Sequence, residues 1–291
     1  MSTETCSFGD VGNVPNTSCS ALLRTGRFAA TLTDYKFSSQ AAMKDKAVWD
    51  AAIEAKDLFV FPVIQTEESA NTEAEFVEGA TITLKTKPTI KRTNFQVWTP
   101  ECIQGRLESW DQRAVKIFEI TESNQYKGII ESDGKVSGQK GILSVDIQTT
   151  AVGSENAFTT VGFRYSDPKA FSNNPATGVL DFSYLDLQGI VDVTMTEILT
   201  STSSLLNIQV KKVCNNESVT NLVLADFEVV DSLGAAVVVT TVTYNATNDA
   251  YELASAAAFA NGDVVGLDGV VAQPDIMLES PTANKATISA I

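Results

Sequence analysis

Phe227-Glu-Val-Val-Asp-Ser-Leu-Gly234, then Tyr251-Glu-Leu253, then Asn261-Gly-Asp-Val-Val265 are the stretches that decide how this chain is read. Phe227 and Val229 alternate with polar or smaller neighbours and run into Asp231-Ser-Leu-Gly234, which has the chemistry of a tight turn. Asn245-Ala-Thr-Asn-Asp249 is a second turn, leading into Tyr251-Glu-Leu253. Ala260-Asn-Gly-Asp263 is a third, leading into Val264-Val265. Leu206/Ile208/Val210, Leu222/Leu224 and Val237–Val242 supply further apolar runs. Short strands punctuated this regularly predict a β-sandwich of about seven strands over residues 205–291.

Upstream, Leu199-Thr-Ser-Thr-Ser-Ser204 is the expected domain boundary, with residues 200–204 as linker. Residues 39–199 read as a β-rich assembly domain. A helix is predicted over 39–57, capped by Ser38 or Ser39, with Met43, Ala47, Ala51, Trp49 and Ile53 on apolar positions. A second is predicted near 100–112, opening at Thr99-Pro100-Glu101 with Ile103, Leu107 and Trp110 inward. Strand alternation is seen at Ile82/Leu84, Phe95/Val97, Val115–Ile120, Leu143/Val145/Ile147, Val161/Phe163/Tyr165, Leu180/Phe182/Tyr184 and Val191/Val193/Met195. Asp133-Gly134 is a hairpin signal, so Val115–Gln148 is expected to form one long hairpin. Loops at 149–157 and 166–178 are long and polar. Residues 1–38 read as an irregular amino-terminal arm with a short apolar stretch at Phe28–Leu32. The fold class is therefore mainly β: a sandwich or barrel domain with one or two helices and long hairpins, then a second sandwich.

Charge narrows the function. The net charge is −15 with no histidine, and the negative charge is spread over both halves. Gripping a phosphate backbone needs clustered Lys and Arg, so a nucleic-acid-binding surface is not expected. An acidic wall can still pass DNA without holding it. No apolar run is long enough to span a bilayer, so no membrane insertion is expected. The four cysteines, Cys6, Cys19, Cys102 and Cys214, show no C-x-x-C spacing. Cys6 and Cys19 are placed to close a short loop if they pair. Met1-Ser-Thr-Glu-Thr-Cys6 has no basic stretch followed by an apolar one, so no secretory signal is expected and the thiols are expected reduced.

Without histidine there is no Ser-His-Asp or Cys-His arrangement. Neither G-x-x-x-x-G-K-[ST] nor G-x-G-x-x-G occurs. Glu67, Glu68, Glu73 and Glu75 form an acidic stretch whose spacing selects no catalytic pair, and Asp167 and Asp181 suit turns. Asp249, Asp263, Asp268 and Asp275 lie in turns without a D-x-[DN]-x-[DN]-G calcium loop. No catalytic, cofactor-binding or metal-binding residue is assigned, and the chain is read as a non-enzyme.

The phrase Phe227-Glu-Val-Val-Asp-x-x-Gly234 … Tyr251-Glu-Leu253 … Asn261-Gly-Asp-Val-Val resembles bacterial and phage immunoglobulin-like (Ig-like) modules. The resemblance covers about the last 90 residues. Antibody-type Cys…Trp…Cys spacing is absent, which removes any immune-receptor inference. Ig-like modules usually work outside cells, yet no export signal is read here. A virus particle resolves the conflict, because it assembles in the host cytoplasm and leaves by lysis.

The β-rich first domain, the 115–148 hairpin, the Ser/Thr linker and the terminal module together resemble tail tube proteins of tailed bacteriophages. That resemblance implies a virion structural protein that self-associates into rings or a tube beside other virion proteins, tolerates DNA nearby without binding it, and carries an external Ig-like domain. Weak contact of residues 205–291 with host-surface glycans is part of the same expectation. Another virion part (a collar ring, a capsid decoration or a head fibre protein) is the alternative. A carbohydrate-binding or adhesive protein is a second alternative, which would need an exposed aromatic platform from Trp98, Trp110 and Tyr126. A carboxylate-dependent glycoside hydrolase is a third, needing a cleft with two facing acids.

Overall fold

In a computed structural model the chain divides into two compact units, one ending at Leu187 and the other beginning at Gln188. The structure describes residues 24–78, 83–87, 89–149, 157–198, 201–273, 276–289 and 291. Residues 1–23 of the expected arm, with Cys6 and Cys19, lie outside the described residues, as do Ile82, most of the 149–157 loop, residue 200 of the expected linker and Asp275.

The first unit contains β1 (Thr25–Thr31), β2 (Lys36–Phe37), α1 (Gln40–Lys44), α2 (Lys46–Glu54), β3 (Phe59–Val60), β4 (Ile64–Ser69), β5 (Glu75–Glu78), β6 (Thr83–Lys87) and β7 (Arg92–Val97). It continues with α3 (Glu101–Glu108), β8 (Ala114–Thr121), β9 (Gln125–Ile130), β10 (Val136–Ser137), β11 (Gln139–Val145), β12 (Thr159–Tyr165), α4 (Ala170–Asn173) and β13 (Pro175–Val179). Six of these positions make a barrel. β1 pairs β8, β8 pairs β11, and β12, β7 and β4 follow in order. The ring closes where β3 pairs back onto β1 and the Phe61 N–H donates to Phe28 O at 3.0 Å. Its interior holds Phe28, Phe95, Val115, Ile117, Leu143, Val161 and Phe163. Alternation with a period of two puts these side chains on one face and leaves Lys116, Lys140, Arg164 and Arg92 on the other.

Beyond the middle of β8 the sheet forks. Ile117 is opposite Gln139 of β11, but Glu119 is opposite Lys127 of β9. β9, β10, β2 and β13 form a flap on that side. The expected single hairpin over 115–148 is therefore corrected: these residues make four strands, and β11 returns to pair with β8 after β9 and β10 have left it. The Asp133-Gly134 turn is present, with the Gly134 N–H donating to Glu131 O at 2.9 Å. The long hairpin lies elsewhere. β4 and β5 run antiparallel to β6 and β7, with Thr72 opposite Ile90 between the two pairs.

The helix expected over 39–57 is two helices. Ser39 caps α1 by accepting from the Ala42 N–H at 3.1 Å. Asp45 ends α1 in an extended conformation and caps α2 by accepting from the Ala47 N–H at 3.0 Å. A short acid that satisfies the backbone outside a helix competes with its continuation. Trp49 on α2 then donates its indole N–H to the carbonyl of Met43 at 2.8 Å and packs on Phe37 and Phe118, covering the outer face of β8. The second helix is shorter than expected: Thr99 makes no cap and Pro100 stands at the cap position. Its Leu107, Ile103 and Trp110 do face the barrel core.

Two further expectations are corrected. Phe28–Leu32 is no part of an arm, because β1 is central to the barrel. Leu180/Phe182/Tyr184 is no strand; it leads into a 3-10 turn at Tyr184–Asp186. Arg27 holds this last segment of the unit, donating to Phe61 O at 2.8 Å and to Leu187 O. Burial lowers its pKa to about 10, since its acceptors are neutral carbonyls.

The second unit is a sandwich. It contains β14 (Ile190–Glu197), β15 (Leu205–Lys212), β16 (Phe227–Val230), β17 (Val239–Asn245), β18 (Ala250–Ser255), β19 (Val264–Leu267), β20 (Val270–Gln273), β21 (Ile276–Glu279) and β22 (Ala286–Thr287). One sheet runs β17-β18-β15-β14-β21-β20 and the other β16-β19-β22. Val193, Leu206, Ile208, Tyr251 and Leu253 from the first meet Phe227, Val229, Val265 and Leu267 from the second. Nine described strands thus replace the seven expected. The boundary moves with them. Residues 190–197, assigned from sequence to the first domain, pair with β15 and β21 and belong to the second unit. Leu222/Leu224 is likewise no strand, since Leu224–Asp226 is a 3-10 turn. The quoted turns form as read. The Gly234 N–H donates to Asp231 O at 2.9 Å. Gly234 has φ +85°, a conformation that glycine adopts without steric cost.

Tyr251 locks this sandwich. Its hydroxyl donates to Val219 O at 2.9 Å and accepts from the Leu222 N–H at 3.0 Å, fixing the segment before β16. Burial raises its pKa to about 12. Tyr251→Phe would leave a buried N–H and carbonyl without partners, so a loss of about 1–3 kcal/mol is expected in urea unfolding. A variant as stable as the parent would show that water replaces the hydroxyl.

Candidate functional site

The strongest polar constellation in the first unit sits inside the barrel, at the fork of β8. Along this strand Val115 and Ile117 point inward, and the next inward position is Glu119, 2% exposed. Its carboxylate accepts from four side chains on four strands. Tyr165 of β12 donates at 2.7 Å, Lys127 of β9 at 2.9 Å, Gln139 of β11 at 3.0 Å and Thr25 of β1 at 3.2 Å. Lys127 and Glu119 are also a buried ion pair. Lys91 stands over the Tyr165 ring at 4.0 Å from its centre, and the Tyr165 hydroxyl lies 3.4 Å from Thr93 Oγ1. On the neighbouring strand Glu67 accepts from the Thr25 N–H at 2.6 Å.

Electrostatics follow from this geometry. Burial alone would raise the pKa of Glu119, but the Lys127 charge, hydrogen bonds from Tyr165 and Lys127, and the Lys91 charge together hold it below the usual carboxylate value. Burial, reinforced by the Glu119 charge, pushes Tyr165 far up. Burial pulls Lys91 down, despite the opposing pull of Glu119. Glu119 is ionised with its oxygens engaged, and Tyr165 is a committed donor. The arrangement suits a strut that ties four strands together where the sheet divides. Sequence reading missed it, although a signal exists: Glu119 occupies an inward position in an otherwise apolar strand.

The residues singled out from sequence are dispersed. Glu67 joins the network, while Glu68 and Glu73 are exposed on β4 and the turn beyond it. Asp167 accepts from the Lys169 N–H at 2.9 Å, a turn role. In the second unit Asp249 accepts from Ser218 at 2.6 Å and Tyr244 at 2.8 Å, and the buried Asp263 accepts from the Ala260 N–H at 2.9 Å. Among the described residues no group of three or more His, Cys, Asp or Glu is arranged to hold a metal ion. The aromatic platform does not assemble. Tyr126 is fully buried, Trp110 packs on Phe59 and Phe61, and of the three only Trp98 is exposed. Among the described residues no helix is long and apolar enough to cross a membrane.

For Cys102 and Cys214 the expectation of reduced thiols is overturned. Cys102 on α3 and Cys214 after β15 are both exposed, and both are disulfide-bonded. The residues at the start of the sequence do not determine which oxidants a chain meets after synthesis. Alkylation of the unfolded, unreduced protein is expected to label neither Cys102 nor Cys214, and to label both after reduction. Peptide mass spectrometry reads this directly, and labelling of either without reductant would contradict the bonding.

No family model matches the chain, and no curated protein matches it in sequence.

Proposed function

We propose that this protein is a virion structural protein of a tailed bacteriophage, which self-associates into rings or a tube, with the second unit as an Ig-like domain on the outside. The observation that carries the reading is the 64–97 hairpin. Its β4 and β7 belong to the barrel, and beyond them β5 pairs antiparallel with β6, with Thr72 opposite Ile90 between the two pairs. Among the described residues β5 and β6 pair only with each other. A two-stranded sheet has an edge on each side, and a strand from a neighbouring subunit can add to such an edge. A rigid barrel supplies the base for such an arm, and the Glu119 strut keeps that barrel intact where its sheet divides. Disulfides at Cys102 and Cys214 suit a particle that persists outside cells. An acidic chain suits a channel through which DNA slides.

Light scattering with negative-stain microscopy of the full chain tests the reading. Rings or tubes support it, and a monomer at high concentration refutes self-assembly. Among assembled forms, copy number and symmetry in the particle separate a tube from a collar ring or a capsid decoration. A carbohydrate-binding role rests on Trp98 alone, because Tyr126 and Trp110 are committed to packing.

A further inference from the structure

The outer face of the barrel carries a basic stripe that the rest of the molecule does not explain. Lys116 of β8 lies directly opposite Lys140 of β11, and Arg164 of β12 directly opposite Arg92 of β7. Arg164 is also opposite Ile142, so Lys140 and Arg164 are diagonal neighbours. Four cations thus cross four adjacent strands in a chain of net charge −15. Two of the cross-strand pairs are like-charged, an arrangement that destabilises a sheet unless something offsets it. Lys116 is offset by Asp34. Among the described residues Lys140, Arg164 and Arg92 have no carboxylate within ion-pair distance.

The stripe is also built rather than splayed. Arg92 reaches across β12 and donates to Ser144 of β11 at 3.2 Å. It can do so because residue 162, between them, is glycine: a Cβ there would stand 2.8 Å from the Arg92 guanidinium and 2.5 Å from Ser144 Oγ. The guanidinium is therefore held flat on the sheet, with donors left over for a planar carboxylate. Ile142, 39% exposed, supplies an apolar contact amid the charges.

We infer that the Lys140–Arg164–Arg92 stripe is a docking surface for a carboxylate-rich face of a second copy of this chain. The inference rests on the self-association proposed above and names one of its contacts. Charge complementarity favours this occupant: each copy carries 36 acidic residues. A second copy can present one carboxylate-bearing face to the stripe and turn the rest away, whereas double-stranded DNA carries a continuous line of phosphates that would also run along the acidic surface beside it.

The test is sedimentation velocity on the full chain and on Lys140→Glu/Arg164→Glu, with Lys135→Glu, exposed on the β9–β10 turn, as control. At low salt the double reversal is expected to weaken self-association by about tenfold or more, with the difference shrinking at high salt. The thermal midpoint should be unchanged or raised, because like-charge pairs have been removed. Reversed and parent chains associating equally would overturn this inference alone, leaving self-assembly standing. A parent chain that remains monomeric would overturn both. Binding of double-stranded DNA by the parent, lost in the double reversal while self-association is untouched, would overturn the second-copy assignment in favour of nucleic acid.

Discussion

Glu119→Ala is expected to cost about 3–5 kcal/mol of folding free energy, because removing one member of a buried ion pair leaves the other charge without compensation. Lys127, Gln139, Tyr165 and Thr25 all donate to this carboxylate, so its loss leaves donors unmatched on four strands at once. Urea unfolding followed by far-UV circular dichroism measures the loss. The effect also has a pH signature. The folded state holds Glu119 below its unfolded value of about 4.3, so its stabilisation is complete above that pH. It is lost as pH falls through the unfolded value toward the lower folded one. Glu119→Gln should be destabilised at neutral pH and should lose less further stability than the parent on moving to pH 4. Parallel acid limbs in the two proteins would show that the carboxylate is not the group responsible, and a Glu119→Ala chain of parental stability would show that the fork does not depend on it.

How far the sequence carried this is clearest along β8 itself. Val115 and Ile117 alternate with Lys116, and that period correctly separates the barrel interior from the outer face. The same rule marks Glu119 as an inward acid, a discordant residue that points to a buried partner, but nothing local says that the partner is Lys127, eight residues on. Which strand pairs with which is non-local. A meander and a long hairpin share the same turn signals, so Asp133-Gly134 was legible as a turn while the path from β10 back to β8 was not. The 64–97 hairpin escaped for the converse reason: its strands are polar outside the barrel, and residues 67–78 look like an acidic loop. β14 shows the same limit. Val191, Val193 and Met195 read as a strand, but only its pairing with β15 and β21 assigns it to the second unit. Turn chemistry, by contrast, is local, which is why Asp231–Gly234 and Ala260–Asp263 form as read.

Trp49→Ala is expected to be of similar severity, about 3–5 kcal/mol, as for other buried tryptophans truncated to alanine. The side chain is fully buried against Phe37 and Phe118, so truncation opens a cavity on the face of β8 opposite Glu119. It also removes the donor that satisfies the Met43 carbonyl at the break between α1 and α2. Trp49→Phe separates the two contributions. It keeps an aromatic ring in the site but not the indole N–H, and should cost about 1–3 kcal/mol for the unpaired carbonyl. In the parent, the fully buried Trp49 should resist acrylamide quenching while the exposed Trp98 is quenched. A Trp49→Ala chain with parental stability would mean that α1 and α2 are not anchored on β8. A large loss in Trp49→Ala with none in Trp49→Phe would assign the anchoring to packing and leave the Met43 hydrogen bond without energetic weight.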